Sequence, residues 1–223
     1  GDATSARFYC ELVLAEDHAA GAAMMPIVDI YSSQGEWQKS AEMLERLSYL
    51  IKTPEKRANL LYRMGEIYRV HLGDTDRASA AYLKAIDLDS RHVLTLRRLI
   101  DYYWATDDVS ALEEIADELE AQNELLVDDT PLEMMARIGV STGLAGNKKR
   151  AVQMSRALGA TGAGALAATL ADVVGRHPDV TEDAVKVAHL LCQPPGPFLA
   201  AVRQVLEVRG QKDPIARSLA HKL

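Results

Sequence analysis

Apolar residues recur along this chain at the spacing of amphipathic helices, most clearly in residues 58–92. One helical face is predicted from residues at i, i+3, i+4 and i+7, namely Leu61, Met64, Gly65 and Tyr68. A turn at Gly73-Asp74 follows, and a second helix continues with Ala78, Tyr82 and Ala85. A glycine inside a helix costs about 1 kcal/mol relative to alanine. We expect the small Ala78 and Ala85 to bring the second helix close to Gly65.

The same helical-hairpin pattern lies on both sides of this stretch. Upstream, the apolar positions of the two helices are Met24, Ile27, Val28 and Tyr31, then Ser40, Leu44 and Leu47. Downstream they are Leu96, Leu99, Ile100 and Tyr103, then Leu112, Ala116 and Leu119. The tyrosine that ends the first helix recurs as Tyr31, Tyr68 and Tyr103, at intervals of 37 and 35 residues. A helix-pair period of about 34 residues is typical of a stacked solenoid.

Residues 58–92 resemble the tetratricopeptide repeat, whose consensus has a large residue, Leu-Gly, Tyr, Ala, an aromatic, Ala and Pro at fixed offsets. The matching positions are Leu61, Met64-Gly65, Tyr68, Ala78, Tyr82 and Ala85. Ser90 replaces the proline, and one residue is inserted before Gly73. The neighbouring units match less well, since Val28 and Ile100 replace the glycine. The resemblance implies an all-α, right-handed superhelical solenoid of antiparallel helix pairs, similar to parts of long bacterial arrays.

This alignment divides the chain into repeats. Residues 1–20 are interpreted as the second helix of a truncated repeat, and three units follow at 21–57, 58–92 and 93–127. Residues 128–223 are predicted to form a degenerate unit and a helical capping region, with a separate docking module as the alternative. A helix start is predicted at Thr130-Pro131. Further helices are predicted near 163–176, 181–192, 197–209 and 213–222.

Charge narrows the range of partners. Residues 1–127 hold 23 acids and 13 bases, whereas residues 128–223 hold 9 acids and 12 bases. Between Leu99 and Ala136 there are twelve acids and no Lys, Arg or His. Such a surface repels phosphate backbones and anionic lipid, which argues against nucleic acid as a partner. The acidic stretch is interpreted either as a solvated helix face or as a surface that attracts a basic partner.

Motifs for catalysis, metal binding or cofactor binding are incomplete. Residues 159–164 are glycine-rich but lack the Gly-Lys-Ser/Thr of a phosphate loop. His177-Pro178-Asp179 resembles the tripeptide of J-domain co-chaperones, but the basic helix that surrounds that tripeptide is missing. We therefore expect inter-helix turns at both places. The six histidines form no i, i+4 pair with a carboxylate, so we predict no zinc site, no cofactor and no enzyme activity.

Other features bear on location. No apolar run reaches the roughly 18 residues that span a bilayer. Cys10 and Cys192 lie far apart in sequence, and we expect two reduced, buried thiols, which are typical of a cytoplasmic protein. Because Gly1 is followed at once by half a repeat, we interpret the chain as the C-terminal part of a longer array. A signal peptide on a missing N-terminal part stays open.

The resemblance also implies a site. In the tetratricopeptide family the first helices line a concave groove that holds a partner protein or peptide. Carried over by offset, the partner-binding candidates are Met25, Asp29, Tyr62, Glu66, Arg69, Arg97, Asp101 and Trp104. The ninth offset is acidic in all three units, and Trp104 is expected to face the groove as an aromatic anchor. The residues of the family's carboxylate clamp are replaced, except at Arg98. The predicted function is a non-enzymatic interaction scaffold; the alternative is a structural spacer or self-association module.

Overall fold

A computed structural model of the protein describes residues 3–17, 21–121, 132–193 and 196–223. Every regular element in these ranges is helical, which confirms the predicted all-α class. The helices are α1 Ala3–Glu16, α2 Gly21–Ser33, α3 Trp37–Leu50, α4 Pro54–Ile67, α5 Thr75–Leu88, α6 Val93–Ala105, α7 Val109–Ala121, α8 Leu132–Leu144, α9 Lys148–Leu158, α10 Ala163–Arg176, α11 Thr181–Leu191, α12 Pro197–Gly210 and α13 Pro214–Lys222. The last four agree with their predicted ranges to within one residue. The helix start predicted at Thr130-Pro131 lies outside the described residues.

The chain divides into two compact units, Gly1–Leu99 and Ile100–Leu223. The division falls inside α6, and therefore inside the third predicted repeat. In each unit, consecutive helices pack as pairs, such as α2 with α3, α4 with α5 and α8 with α9. Short turns join the members of these pairs, so the members run antiparallel.

The first helix of four successive pairs ends in the same kind of turn. One residue in each turn has a left-handed φ, at Gly35 (75°), Gly73 (65°), Asp107 (55°) and Gly146 (90°). The N–H of the next residue donates to a carbonyl in the last helical turn, at Tyr31, Tyr68, Tyr103 and Thr142, over 2.8 to 3.0 Å. This is the closing hydrogen bond of a Schellman-type helix end. The three recurring tyrosines therefore occupy equivalent positions, as the repeat alignment predicts.

The residue inserted before Gly73 is absorbed by a change of helix type. Tyr68 and Gly73 are five residues apart, whereas Tyr31 and Gly35 are four apart. Directly after α4, Tyr68–Leu72 forms a π-helical turn, in which the hydrogen bond spans one more residue than in an α-helix. Within this turn His71 stacks on Trp37, with ring centroids 3.5 Å apart and planes at 6°. The wider turn thus keeps Gly73 at the helix end.

Gly65 is required by a tyrosine rather than by an alanine pair. A Cβ on Gly65 would lie 2.4 Å from Cε1 of Tyr82. Tyr82 is only 1% exposed, so its ring crosses the helix pair at the place where Gly65 has no side chain. Ala78 and Ala85 are buried, as predicted, but the expectation that they explain Gly65 is wrong. The aromatic position of the repeat sets this close approach.

In the unit Ile100–Leu223, α10 is the central helix. It packs against α8, α11, α12 and α13, and its predicted apolar face, Leu166, Leu170 and Val174, is fully buried. Cys192, just after α11, is also buried, and burial raises the pKa of its thiol to about 12. Cys10 is a free cysteine that is only partly buried, so the expectation of a buried thiol holds for Cys192 alone.

Candidate functional site

In the unit Gly1–Leu99, six of the eight predicted binding residues lie on α2, on α4 with the π-helical turn that follows it, and on the first part of α6. We call this surface the first-helix face and define it by the six candidates Met25, Asp29, Tyr62, Glu66, Arg69 and Arg97 together with Arg63, Leu94 and Arg98. Contacts between α2 and α4 begin at Arg63, which donates to Asp29 over 3.2 Å. Arg63 Nη1 also lies 3.9 Å from Sδ of Met25. The first helices of successive pairs therefore lie side by side, as the repeat requires.

The three acids at the ninth offset are all paired with arginines. Asp29 pairs with Arg63, Glu66 pairs with Arg98, and Asp101 pairs with Arg137. Each arginine lies on the first helix of the next pair, 32 to 36 residues farther along the chain. The first two ion pairs lie in the unit Gly1–Leu99 and the third in Ile100–Leu223. We call these three ion pairs the ladder. Because each acid is neutralised by the next repeat, none offers an uncompensated negative charge to a partner.

Glu66 is the most strongly held of these acids. Its carboxylate accepts hydrogen bonds from Arg98 Nε at 3.0 Å, from Arg69 Nη2 at 2.8 Å and from the Tyr82 hydroxyl. Burial by itself would raise the pKa of Glu66, but the hydrogen bonds from Arg69, Tyr82 and Arg98 outweigh it and lower the pKa to about 2. Glu66 and its three donors therefore form a fixed, ionised cluster at the centre of the face.

Tyr62 and His92 border this cluster at the amino end of α6. The ring of Tyr62 lies 5.3 Å from that of His92 and 6.0 Å from that of Tyr82. His92 Nε2 is 3.2 Å from Oδ1 of Asn59, and burial lowers the pKa of His92, which favours the neutral ring. Beside this aromatic group Leu94 is 55% exposed and Arg97 is exposed. The face thus has a rigid base with open apolar and cationic side chains above it.

Residues 27–58 match the family model of the tetratricopeptide repeat. This segment of the chain is therefore similar to a single tetratricopeptide repeat. The match falls on the first predicted unit, although residues 58–92 were expected to match best. The residue inserted at the π-helical turn breaks the repeat's fixed spacing in that second unit.

Several solved structures are similar to the chain at low identity. The C-terminal part of a tetratricopeptide repeat-containing protein from Cytophaga hutchinsonii is 13% identical, covers 99% of this chain and 88% of its own, and has a TM-score of 0.48. A chain of Naa15/Naa10 bound to HypK-THB is 14% identical, with 96% of this chain and 33% of that chain covered and a TM-score of 0.48. The tetratricopeptide domain of P58(IPK) is 14% identical, with 95% and 62% covered and a TM-score of 0.38. No curated protein matches the chain.

The two remaining candidates of the repeat alignment lie in the unit Ile100–Leu223. Trp104 is only 7% exposed, so the expectation that it is an open anchor on the groove is wrong. Its indole N–H donates to Asp172 over 2.7 Å, and the guanidinium of Arg176 lies 4.8 Å from the ring centre. Both partners belong to α10, which packs over Trp104 and covers it. Asp101 is paired with Arg137, as described above.

The acidic stretch is partly compensated by the following repeat. In α7, Asp117 pairs with Arg150, and Glu113 accepts a hydrogen bond from Asn147 over 3.2 Å. Glu114 and Asp117 are exposed. Glu124, Asp128 and Asp129 lie outside the described residues. The described part of this stretch therefore supports the interpretation of a solvated helix face with contacts to the next helix pair.

Sequence reasoning missed the arginines that complete the ladder. Arg63, Arg98 and Arg137 all stand two residues before the glycine position of their units, which holds Gly65, Ile100 and Gly139. An acid at the ninth offset, followed in the next unit by an arginine two residues before the glycine position, was a visible signal. Of these arginines, the resemblance singled out only Arg98, as the residue that fits the carboxylate clamp. It binds Glu66 of its own chain instead.

Two further kinds of site are absent from the part of the chain that the structure describes. Among the described residues, no group of three or more His, Cys, Asp or Glu side chains is arranged to hold a metal ion. No described helix is long and apolar enough to cross a membrane. The glycine-rich residues 159–164 form the cap that follows α9, a short 3-10 turn and the start of α10. Pro178–Val180 is also a 3-10 turn, so both segments are inter-helix connections, as predicted.

Proposed function

We propose that this chain is a non-enzymatic scaffold that holds a partner protein or peptide on the first-helix face of the unit Gly1–Leu99. Tetratricopeptide repeats generally mediate protein–protein interaction, and the finer assignment depends on the face itself. One observation supports the assignment to this face: a rigid, hydrogen-bonded base lies beside exposed side chains. Glu66 and its donors fix the base, while Leu94 and Arg97 stay exposed beside it. A preorganised surface loses less conformational entropy when it binds a partner.

The charge of the face favours an acidic or neutral partner segment. As defined above, the face holds Arg63, Arg69, Arg97 and Arg98 against two acids, Asp29 and Glu66. Both acids are already paired with arginines of the ladder. A basic partner, which the overall net charge of −7 suggests, would meet excess positive charge here. We therefore propose that the partner segment is acidic and places an acidic side chain against Arg97 and an aliphatic one against Leu94. Complementary charge steers the encounter of two proteins.

Capture with matched variants tests this function. Immobilised wild-type chain is exposed to lysate of its source, and the retained proteins are identified and then titrated singly by calorimetry. The test variant is Leu94→Ser with Arg97→Glu, which changes exposed residues of the face. The control is Leu83→Ser with Lys84→Glu, which makes the same kinds of change on exposed positions of α5. We expect the test variant to bind an identified partner at least tenfold more weakly, with the control unchanged.

Two results would contradict the proposal. One is equal binding of the partner by the test and control variants, which would move the site away from this face. The other is a chain that captures nothing and forms concentration-dependent oligomers in light scattering, which would favour a self-association module. Circular dichroism of both variants checks that each keeps its helices, because the substituted side chains are exposed and leave the core untouched.

A further inference from the structure

The unit Ile100–Leu223 contains an apolar cavity that the proposed function does not use. Its volume is about 300 Å³, and α6, α7, α8 and α10 each contribute to its wall. The apolar lining includes Trp104, Leu112, Leu144, Val173 and Val180. An apolar cavity of about 150 Å³ is enough to bind benzene. The available space therefore suits a group the size of a substituted benzene ring or a large aliphatic side chain.

Three polar side chains stand at the rim of this cavity. Asp107 pairs with Arg176 and lies 3.1 Å from Nε2 of His177, and all three line the cavity. Arg176 also donates to the carbonyl of Trp104 over 3.1 Å. These contacts tie the end of α6 to the end of α10 across the rim. The polar groups are thus held in fixed positions next to an apolar interior, which is the usual composition of a ligand site.

Asp107 is an unusual residue for its position. The three equivalent helix ends place glycine at the left-handed residue, at Gly35, Gly73 and Gly146, whereas Asp107 adopts a φ of 55° with a side chain present. Among non-glycine residues Asp and Asn adopt this conformation most readily, although it is still less favourable for them than for glycine. Glycine would relieve the strain but could not hold Arg176 and His177. The aspartate is therefore explained by what its carboxylate does at the rim.

We propose that this cavity is a binding site for an uncharged apolar group, enclosed at its rim by Asp107, Arg176 and His177. The charges beside the cavity exclude an anion. Asp107 and Asp172 both pair with Arg176 and oppose its positive charge. A carboxylate would thus be repelled, whereas a neutral ring meets Trp104 and the aliphatic wall. The group can be part of a free small molecule or a side chain of a partner.

Trp104 itself reports on the site. The chain has two tryptophans, and Trp37→Phe leaves Trp104 as the remaining one while keeping an aromatic ring against His71. Bromine quenches the fluorescence of a tryptophan that it contacts. The probes are 4-bromobenzyl alcohol and 4-bromobenzoate, together with a blocked glycine–serine peptide that carries 4-bromophenylalanine. We expect saturable quenching by the alcohol and at least tenfold weaker binding of the benzoate.

Two variants in the Trp37→Phe background locate the binding. Ala145 is exposed and lines the cavity, so Ala145→Phe should place a ring at the mouth and abolish quenching. Its control is Ala80→Phe, at an exposed position of α5, which should leave quenching unchanged. Asp107→Gly removes the rim carboxylate and should weaken binding at least threefold while the unfolding midpoint stays close to that of the parent.

The outcomes are distinct. Saturable quenching by the bromophenylalanine peptide as well as the alcohol assigns the site to a partner's side chain. Quenching by the alcohol alone assigns it to a small molecule. The proposal is overturned if quenching by the alcohol rises linearly without saturation. It is also overturned if the alcohol quenches Ala145→Phe as strongly as Ala80→Phe, or if the benzoate binds as tightly as the alcohol. None of these results bears on the first-helix face, because the variants of that face are read by partner capture.

Discussion

At the scale of single residues, the contact between Gly65 and Tyr82 links the core to the candidate site. The missing side chain of Gly65 makes room for the ring of Tyr82, whose hydroxyl then reaches the Glu66 carboxylate. A core position of the repeat therefore sets the geometry of a polar group on the surface. The same aromatic ring fills the helix pair and orders the first-helix face.

Gly65→Ala should destabilise the chain by about 1–3 kcal/mol, because the new Cβ overlaps a buried ring that cannot move aside. The intrinsic preference of helices for alanine acts in the opposite direction by about 1 kcal/mol, so the clash must exceed it. The matched control is Gly175→Ala in α10, where nothing lies within 4 Å of the added Cβ. That control should raise the unfolding midpoint in urea. A rise for Gly65→Ala as well would remove the packing role of Tyr82.

Glu66 predicts a specific dependence of stability on pH. Its pKa falls to about 2 in the folded chain, below the ordinary value of 4.5. The folded state therefore binds this proton less readily than the unfolded state, and the stabilisation is complete at neutral pH. It is lost as the pH falls from about 4.5 towards 2, and it amounts to at most about 3 kcal/mol, because solvent screens this part-exposed carboxylate.

Glu66→Gln should remove this part of the acid-induced loss. Urea unfolding from pH 7 to pH 3 would show a shallower slope for the variant, which should also be less stable at pH 7. Asp29→Asn serves as the control, because the Asp29–Arg63 pair is largely exposed and contributes about 0–1 kcal/mol. Parallel pH curves for wild type and Glu66→Gln would contradict the assigned role of Glu66.

At the scale of elements, the helix ends carry more information than the helices. Four first helices end in a turn that contains one left-handed residue. Two of these turns differ from the other two. The turn after α4 is wider by one residue and places His71 on Trp37. The turn after α6 has Asp107 in place of glycine, and its carboxylate holds residues of α10.

An exchange of residues between two of these turns separates strain from function. Gly146→Asp should cost about 1 kcal/mol, because its left-handed φ of 90° disfavours a side chain. Asp107→Gly should change stability by less than about 0.5 kcal/mol, since relief of strain offsets the loss of partly exposed ion pairs. Urea unfolding midpoints of the two variants check this. A large loss for Asp107→Gly would show that the carboxylate serves the stability of the fold.

At the scale of the whole molecule, the sequence predicted the helices well and the surroundings of the candidate site less well. Helical periodicity and the turn residues located the helix pairs, because both are local properties of the chain. The exposure of Trp104 was predicted wrongly, because α10 covers this side chain. Its hydrogen-bond partner Asp172 is 68 residues away, and no local pattern in the sequence indicates such a contact. The ladder was predictable in part, because its paired residues are distant in sequence but recur at the repeat period.

The ladder has a consequence for how such a chain can change in length. Every ion pair of the ladder joins an acid of one repeat to an arginine of the next, two residues before the glycine position. Excision of residues 30–66, one full period, would put Asp29 in the place of Glu66, at the natural spacing from Arg98. Excision of half a period would leave a carboxylate and a guanidinium on opposite sides, where they could not pair. Excision of a whole repeat thus preserves the ion pairing between neighbouring repeats, and excision of half a repeat does not.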